Sequence, residues 1–194
     1  GLLREAALRA LADAKLDGFA EIDAIVIGTA PDMFEGIMMP ELFLAEALGA
    51  VGKPIMRVHT AGSVGGSTAI VATHLIQSGV HERVLTLAFE KQSESIAMWA
   101  LSPVLPFQPQ LVAGAGGYFA PLIRAYIRRS DAHPDTGCMV AVKDREHGLL
   151  NPYAHLHLKM TLEQVKAAPV LWDPIRYSET CPSSDGAVAM VLAS

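Results

Sequence analysis

The chain has 194 residues, of which 51% are apolar and 18% charged, and its formal net charge is −5. No run approaches the roughly 20 apolar residues that a membrane span needs, and the negative charge gives no electrostatic basis for binding nucleic acid. The two cysteines, Cys138 and Cys181, are too few for a disulfide scaffold. The composition therefore indicates one apolar-rich domain, or a large part of a bigger protein, with reduced thiols in the cytoplasm.

Helical periodicity and short apolar runs alternate along the first half of the chain. The predicted elements are, in order, helix Leu2–Ala14, strand Ile22–Gly28, helix Pro40–Leu48, strand Lys53–Val58, helix Val64–Gln77 and strand Arg83–Phe89. Strands that alternate with helices predict a largely parallel sheet that is covered on both faces. Because the chain opens inside a helix and closes on a strand, we expect it to be a fragment with neighbours missing on both sides.

The pattern changes after Glu90. A segment with several prolines comes first and is predicted to be an irregular loop. The elements predicted after it are helices at Ala115–Arg129 and Gly137–His147, a polar loop at Asn151–His157, a short helix that begins with the capping box Thr161–Gln164, and a buried strand at Asp185–Leu192. We predict an α/β fold: an α-β-α layered half with a mixed, mostly parallel sheet and a loop-and-helix insertion. Residues 1–90 form the first part of that half, 91–180 the insertion and 181–194 its closing strand.

The turn between the second strand and the third helix is the first candidate site. Its sequence, Ala61-Gly62-Ser63-Val64-Gly65, is close to the G-x-S-x-G nucleophile elbow. A serine at a helix N-terminus could face a ligand together with the backbone N–H groups behind it. The alternative is that Ser63 only caps the helix, since serine is a preferred N-cap residue. A P-loop is excluded because Gly66 is followed by serine rather than lysine.

A serine hydrolase would need an acid and a histidine later in the chain. Residues of both types are present, namely Asp144, Asp173, Asp185, His147, His155 and His157. The HGGG-type oxyanion loop of such enzymes is missing upstream, which weakens this hypothesis without removing it.

The loop NPYAHLH supplies a second group of candidates. His155 and His157 are separated by one residue, but no third ligand has suitable spacing, so the sequence does not favour a metal site. The loop either lines a pocket or is exposed to solvent. Cys138 lies in an apolar helical pattern and is interpreted as a packing residue, whereas Cys181 lies in a loop and could be reactive.

Glycines open the helix that follows the excursion. Gly114, Gly116 and Gly117 would allow either a ligand or another part of the chain to approach the backbone closely. The sequence does not decide between the two.

Four segments together resemble the thiolase superfamily, specifically the sterol-carrier-protein thiolase-like or nonspecific lipid-transfer proteins. They are HTAGSVGGSTAIVATHLIQSG (59–79), RVLTLAFEKQSES (83–95), NPYAHLH (151–157) and CPSSDGAVAMVLAS (181–194). The resemblance spans the chain but corresponds only to the N-terminal half of a thiolase, so the C-terminal half is absent. It implies a five-layer α-β-α-β-α protein that acts on coenzyme A thioesters.

The resemblance also predicts where the functional site lies. Aligning Gly66-Ser67-Thr68-Ala69 with the family motif puts Ser63 where thiolases have their acylated cysteine, and a serine needs an adjacent base to attack a thioester. Ser63 is therefore the candidate catalytic residue, more as a hydrogen-bonding group than as an acyl carrier. The implied substrate or CoA pocket consists of His59, Gly62, Gly65, Gly66, Asn151, Tyr153 and His155.

These residues lead to three functional hypotheses. The first is a thiolase-type or retro-aldol enzyme that forms or cleaves a C–C bond in a lipid or steroid CoA thioester. The second is a noncatalytic lipid or acyl-CoA binding protein, and the third is a serine hydrolase using Ser63. The CoA thioester would be the substrate, with no covalently bound cofactor and no metal. The expected partners are a second copy, paired through Lys53–His59, and a small accessory subunit.

Overall fold

The computed structural model describes residues 1–29, 36–94 and 114–194. The chain forms two compact units, the first made of Gly1–Ile96 and Ser184–Ser194 and the second of Ala97–Ser183. Among the described residues, no helix is both long and apolar enough to cross a membrane.

A mixed four-stranded sheet forms the centre of the first unit. The elements of this unit are α1 (Leu2–Asp13), β1 (Ala24–Gly28), α2 (Pro40–Leu44), β2 (Ile55–Val58), α3 (Val64–Gln77), β3 (Arg83–Lys91) and, after the second unit, β6 (Asp185–Ala193). The strand order is β2-β1-β3-β6. β1 pairs in parallel with β2 and β3, and β6 is antiparallel to β3. The predicted α/β class with a mostly parallel sheet is confirmed.

Helices cover both faces of this sheet. Val26 of β1 lies in one apolar cluster with Ala72 of α3. Its neighbours Ile25 and Ile27 lie in the other cluster, with Leu11 of α1. Successive side chains of a strand point to opposite faces, so β1 packs beneath α1 on one face and α3 on the other. This is the α-β-α layering that the sequence predicted.

The last strand is more exposed than the sequence suggested. β6 was expected to be a buried strand, but Val188 is 66% and Met190 46% exposed. The reason is that β6 lies at the edge of the sheet: Ala187, Ala189 and Val191 pack against one cluster, whereas on the opposite face Leu192 packs and Val188 and Met190 stay exposed. In α3, Ile70 is 58% exposed.

The second predicted helix ends early. It starts at Pro40 as expected but stops at Leu44, and the chain turns irregularly up to Gly49. Gly49 has φ +63°, a left-handed conformation in which glycine is favoured. A Cβ at this position would come within 2.5 Å of Phe19 Cβ, so close packing also requires the glycine.

The second unit is built from short helices and a small two-stranded sheet. Its described elements are α4 (Gly114–Ser130), α5 (Thr136–Gly148), α6 (Leu162–Ala167), β4 (Val170–Trp172) and β5 (Ile175–Arg176). The predicted capping box at Thr161 and Gln164 is confirmed, with both reciprocal hydrogen bonds formed. A Cβ at Gly116 would lie 2.3 Å from the Trp172 ring, so close packing accounts for this glycine.

The Asp23 side chain connects the start of β1 to the turn before β3 through hydrogen bonds. Its carboxylate accepts hydrogen bonds from the backbone N–H groups of Arg83 (2.8 Å) and Glu82 (2.9 Å). The pKa of Asp23 is lowered from its ordinary value of 3.8, chiefly by the bond from Arg83. A group whose pKa is lower in the folded state stabilises the fold above its unfolded pKa and loses this effect as the pH falls through the folded value.

We therefore predict that Asp23→Ala lowers the free energy of unfolding at pH 7, and that the difference from wild type shrinks on acidification below about pH 4. Urea titrations at several pH values measure this. Asp17→Ala, which removes an exposed carboxylate nearby, is the control and should leave the pH profile unchanged. A deficit of Asp23→Ala that is constant from about pH 7 to about pH 3 would contradict the assignment.

Candidate functional site

A tight turn connects the end of β2 to α3. The chain passes through a 3-10 turn at Ala61–Ser63 and enters α3 at Val64. Ala61, which occupies the first glycine position of the elbow motif, has φ +49°. A left-handed conformation at a residue other than glycine costs of order 1 kcal/mol. The turn is therefore a strained feature that the surrounding structure maintains.

The Ser63 side chain does not cap the helix. Ser63 occupies the N-cap position, but its hydroxyl accepts no hydrogen bond from the first turn of α3. Instead, its Oγ donates to the Thr60 carbonyl at 2.9 Å and lies 3.1 Å from Thr60 Oγ1. Thr60 Oγ1 in turn lies 2.8 Å from Ser67 Oγ. The interpretation of Ser63 as a simple capping residue is wrong, because the preceding 3-10 turn directs its hydroxyl backward.

Glycines leave the N-terminal end of α3 open. A Cβ added at Gly62 or Gly66 would meet nothing within 4 Å, and one at Gly65 would only touch Ala88 Cβ at 4.0 Å. His59, Thr60 and Ser63 are also exposed. The packing of this unit therefore does not explain why glycine stands at positions 62 and 66. An incoming group could approach the backbone here without displacing a side chain.

Close packing fixes α3 against the sheet directly behind this open surface. A Cβ at Gly28, the last residue of β1, would lie 2.0 Å from Thr68 Oγ1 and 3.3 Å from Val64 Cγ2. Thr68 is buried, and its hydroxyl donates to the Val64 carbonyl at 2.7 Å. The first two turns of α3 are thereby held at the carboxyl end of the parallel strands, where α/β sheets commonly bind ligands.

The loop of residues 151–157 belongs to the second unit. The side chain of Asn151 accepts a hydrogen bond from the Tyr153 N–H at 3.0 Å, and the Asn151 carbonyl lies 2.7 Å from His157 Nε2. These bonds give the loop its shape. The Tyr153 ring is 93% exposed, whereas His155 lines a cavity. Of the loop residues predicted to line a pocket, His155 is the one that lines this cavity.

This cavity, of about 340 Å³, lies between α5, the loop and the segment 178–182. It carries both charged and apolar groups. Its walls are Ala141, Asp144, Arg145, Gly148, Ala154, His155, Leu156, Ser178, Glu179, Thr180, Cys181 and Pro182. Three or more His, Cys, Asp or Glu side chains arranged to hold a metal ion are not found in residues 1–29, 36–94 or 114–194.

The predicted site residues thus form two local groups. His59, Gly62, Ser63, Gly65 and Gly66 lie together in the first unit, and Asn151, Tyr153 and His155 lie together in the second. Sequence reasoning missed the hydroxyl groups of Thr60 and Ser67 as partners around Ser63. The cluster of four hydroxyl residues within nine positions, Thr60 to Thr68, was the available signal.

The fold described above is thiolase-like. The chain superimposes on the human mitochondrial 3-ketoacyl-CoA thiolase with a TM-score of 0.71, covering 100% of this chain and 59% of that one at 14% identity. It superimposes on the structure of an "Ltp2-ChsH2(DUF35) aldolase" with a TM-score of 0.76, covering 99% of this chain and 50% of that one at 24% identity. At these identities the superpositions show a common fold. No family model matches the chain.

The curated relatives of this chain include sterol carrier proteins and an acetyl-CoA acetyltransferase. Human sterol carrier protein 2 is 28% identical over 213 residues, a match that covers 100% of this chain and 37% of that protein. The acetyl-CoA acetyltransferase of Methanothermobacter thermautotrophicus is 27% identical, with 98% of this chain and 51% of that protein covered. The predicted resemblance to sterol-carrier and thiolase proteins is confirmed. The chain spans about a third to a half of the length of these relatives.

Proposed function

We propose that this chain forms part of a coenzyme A thioester site whose wall is the turn at Ser63. The observation that carries the proposal is the open, glycine-lined N-terminus of α3. The first N–H groups of a helix lack carbonyl partners within it, and the helix dipole makes this end positive. The N–H groups of Ser63 and Val64 donate to the carbonyls of Thr60 and Ala61 in the preceding turn, so the candidate donors are those of Gly65 and Gly66. N–H groups in this arrangement stabilise negative charge on a thioester or enolate oxygen.

The proposed reaction is formation or cleavage of a C–C bond, of the thiolase or retro-aldol type, in a lipid or steroid CoA thioester. In a retro-aldol step a base removes the proton of the β-hydroxyl, the bond between the α- and β-carbons breaks, and a carbonyl compound and the enolate of the shortened thioester form. N–H donors at the turn would stabilise that enolate. The names of the acetyl-CoA acetyltransferase relative and of the aldolase neighbour support C–C chemistry on such substrates. The name of the sterol carrier relatives supports a lipid or steroid acyl group.

Ser63 serves in this proposal as a hydrogen-bonding group rather than as an acyl carrier. Serine attacks a thioester only when a base removes its proton. Among the described residues, the partners of the Ser63 hydroxyl are the carbonyl and hydroxyl oxygens of Thr60, and neither is a base of that kind. The same geometry argues against a serine hydrolase.

The second candidate function is noncatalytic binding of a lipid or acyl-CoA. It is favoured by the same engaged hydroxyl of Ser63 and by the sterol carrier relatives. Product analysis after incubation with β-hydroxyacyl-CoA separates the two functions. Formation of an aldehyde or ketone together with a shortened acyl-CoA supports the enzyme, whereas saturable binding without turnover supports the carrier.

We predict that Gly66→Leu weakens binding of acetyl-CoA at least about tenfold, because the added side chain would fill the open surface in front of the α3 N-terminus. The free energy of unfolding should be unchanged or rise by up to about 1 kcal/mol, since leucine favours a helix more than glycine does. Calorimetric titration and chemical denaturation measure the two quantities. Gln77→Leu, which adds the same exposed side chain at the other end of α3, is the control and should bind normally.

We further propose that two copies pair through β2. This strand is at one edge of the sheet, so one side of its backbone has no neighbouring strand in the described residues. An exposed edge favours pairing with another chain. Light scattering at micromolar concentration should give the mass of a dimer. Arg57→Pro should give a monomer, because the Pro54 carbonyl bonds to β1 and the alternation of a parallel ladder therefore places the Arg57 N–H on the open edge. A monomeric wild type would contradict the pairing.

The name of the aldolase neighbour joins those of two proteins, which supports a small accessory subunit as a further partner of this chain. We also propose a cytoplasmic location, in keeping with thiols that are free in the described residues.

A further inference from the structure

The cavity of the second unit brings a thiol, an imidazole and a guanidinium to one surface. Cys181, His155 and Arg145 all line it. Apolar groups supply much of the remaining wall, from Ala141, Ala154, Leu156 and Pro182. A volume of about 340 Å³ lies at the small end of ligand pockets. It suits a short acyl group and is too small to enclose a whole coenzyme A.

The two cysteines of the chain differ in their access to such a ligand. Cys138 is only 5% exposed, and burial raises the pKa of its thiol. Cys181 is exposed at the cavity wall, two residues after the 3-10 turn Tyr177–Glu179. Because the thiolate is the nucleophile, a reactive thiol has to be accessible and close to a proton acceptor. Cys181 meets the first condition, and the imidazole of His155 on the same cavity wall supplies a candidate acceptor.

The wall around Cys181 carries charges of both signs. Arg145 donates to the carbonyls of Thr180 (3.1 Å) and Ser178 (3.5 Å), which holds its positive charge beside the segment that carries Cys181. Asp144 and Glu179 bring negative charge to the same wall, and each has a partner of its own. Asp144 forms an ion pair with Lys143 at 3.2 Å, and Glu179 accepts a hydrogen bond from the Arg176 N–H at 2.7 Å.

We infer that Cys181 accepts an acyl group from a small acyl thioester bound in this cavity. The inference rests on the proposed function, because it takes a CoA thioester as the ligand. His155 takes the thiol proton, and the Cys181 sulfur attacks the thioester carbonyl carbon. The new bond between this carbon and Cys181 Sγ forms as the bond to the CoA sulfur breaks. The departing CoA thiolate then takes up the proton. One thioester replaces another, so the transfer needs no oxidant or reductant.

Cys181, rather than Ser63, carries the acyl group in this step. The Ser63 hydroxyl donates to the Thr60 carbonyl, whereas the Cys181 thiol shares its cavity with an imidazole. A thiol is also far more nucleophilic than a hydroxyl near neutral pH. Absence of the thiolase cysteine from position 63 therefore does not remove acyl-transfer chemistry from the chain.

Mass spectrometry of the full chain after incubation with acetyl-CoA tests the inference. Trypsin separates the three candidate acceptors, because it yields peptides 58–83 with Ser63, 130–143 with Cys138 and 177–194 with Cys181. We expect one acetyl group on peptide 177–194, removed by neutral hydroxylamine as a thioester is. Cys181→Ser should lose this label, and His155→Gln should form it at least about tenfold more slowly, while both variants keep the unfolding midpoint of wild type.

Equilibrium dialysis with acetyl-CoA, carried out in parallel, separates the two proposals. Saturable binding without a label on peptide 177–194 would overturn the role of Cys181 and leave the proposed function standing. An acetyl group on peptide 58–83 instead would also overturn it, in favour of Ser63. Absence of both binding and label would overturn both proposals. A label that persists on peptide 177–194 in Cys181→Ser, resistant to hydroxylamine, would identify a hydroxyl of that peptide and contradict the thiol mechanism.

Discussion

Leu11→Ala should lower the free energy of unfolding by about 2–5 kcal/mol, the range measured for truncating a buried leucine. Leu11 is 2% exposed and lies in the apolar cluster that joins α1 to the sheet. The loss combines the transfer free energy of the removed methyl groups with the cost of the cavity that remains. The effect should be close to the upper end of this range, because rigid β1 and β3 side chains such as Ile25 and Leu85 belong to the same cluster and cannot collapse into the cavity.

The matched control is Leu8→Ala, one turn earlier on the same helix. Leu8 is 41% exposed, so the same truncation removes little buried area and should cost less than about 1 kcal/mol. Urea denaturation, with equal m-values for the two variants, measures both effects. Equal destabilisation by the two substitutions would contradict the assignment of α1 as a layer of this core.

Gly28→Ala should lower the free energy of unfolding by about 1–3 kcal/mol, the usual cost of adding atoms to a well-packed core. The added Cβ would lie 2.0 Å from Thr68 Oγ1 and 3.1 Å from Thr68 Cβ, so either Thr68 rotates or α3 moves away from β1. Rotation of Thr68 would break its buried hydrogen bond to the Val64 carbonyl. Because Val64 opens α3, we also expect weaker binding at the turn, in addition to the loss of stability.

Gly186→Ala is the corresponding control in a strand. A Cβ at Gly186, in β6, would meet nothing within 4 Å, so this substitution should be neutral or slightly stabilising. Thermal denaturation and acetyl-CoA titration of both variants compare the two positions. If Gly28→Ala is as stable as Gly186→Ala, α3 does not pack against the end of β1 as described.

Hydrophobic periodicity predicted most helices and strands of the first unit, because it is a local property of the sequence. The helix Val64–Gln77 was predicted with the bounds that the structure gives it, since an apolar helical pattern is closed by Gly79. The parallel pairing of β1, β2 and β3 follows from the alternation of strands and helices. The exposure of β6 was not predictable in the same way, because the order of strands in a sheet is a tertiary property that an apolar run does not encode.

The candidate site was only partly accessible to sequence reasoning. The elbow motif predicted the position of the turn, and the family resemblance predicted that the turn lines the site. The direction of the Ser63 hydroxyl could not be predicted, because it depends on backbone angles such as the positive φ of Ala61. A serine at an N-cap position usually accepts a hydrogen bond from the helix. The meeting of His155 with Cys181 in one cavity was equally hidden, because the two residues are far apart in the sequence.

The backbone amides of the turn provide the most direct test of the proposed thioester site. A titration of the isotopically labelled chain with acetyl-CoA, followed by amide NMR, should produce saturable shifts of the Gly62, Gly65 and Gly66 resonances. The same shifts should be weaker or absent in Gly66→Leu and preserved in Gln77→Leu. Saturable shifts that leave these glycines unmoved, or no shifts at millimolar acetyl-CoA, would contradict the claim that the open N-terminus of α3 binds a CoA thioester.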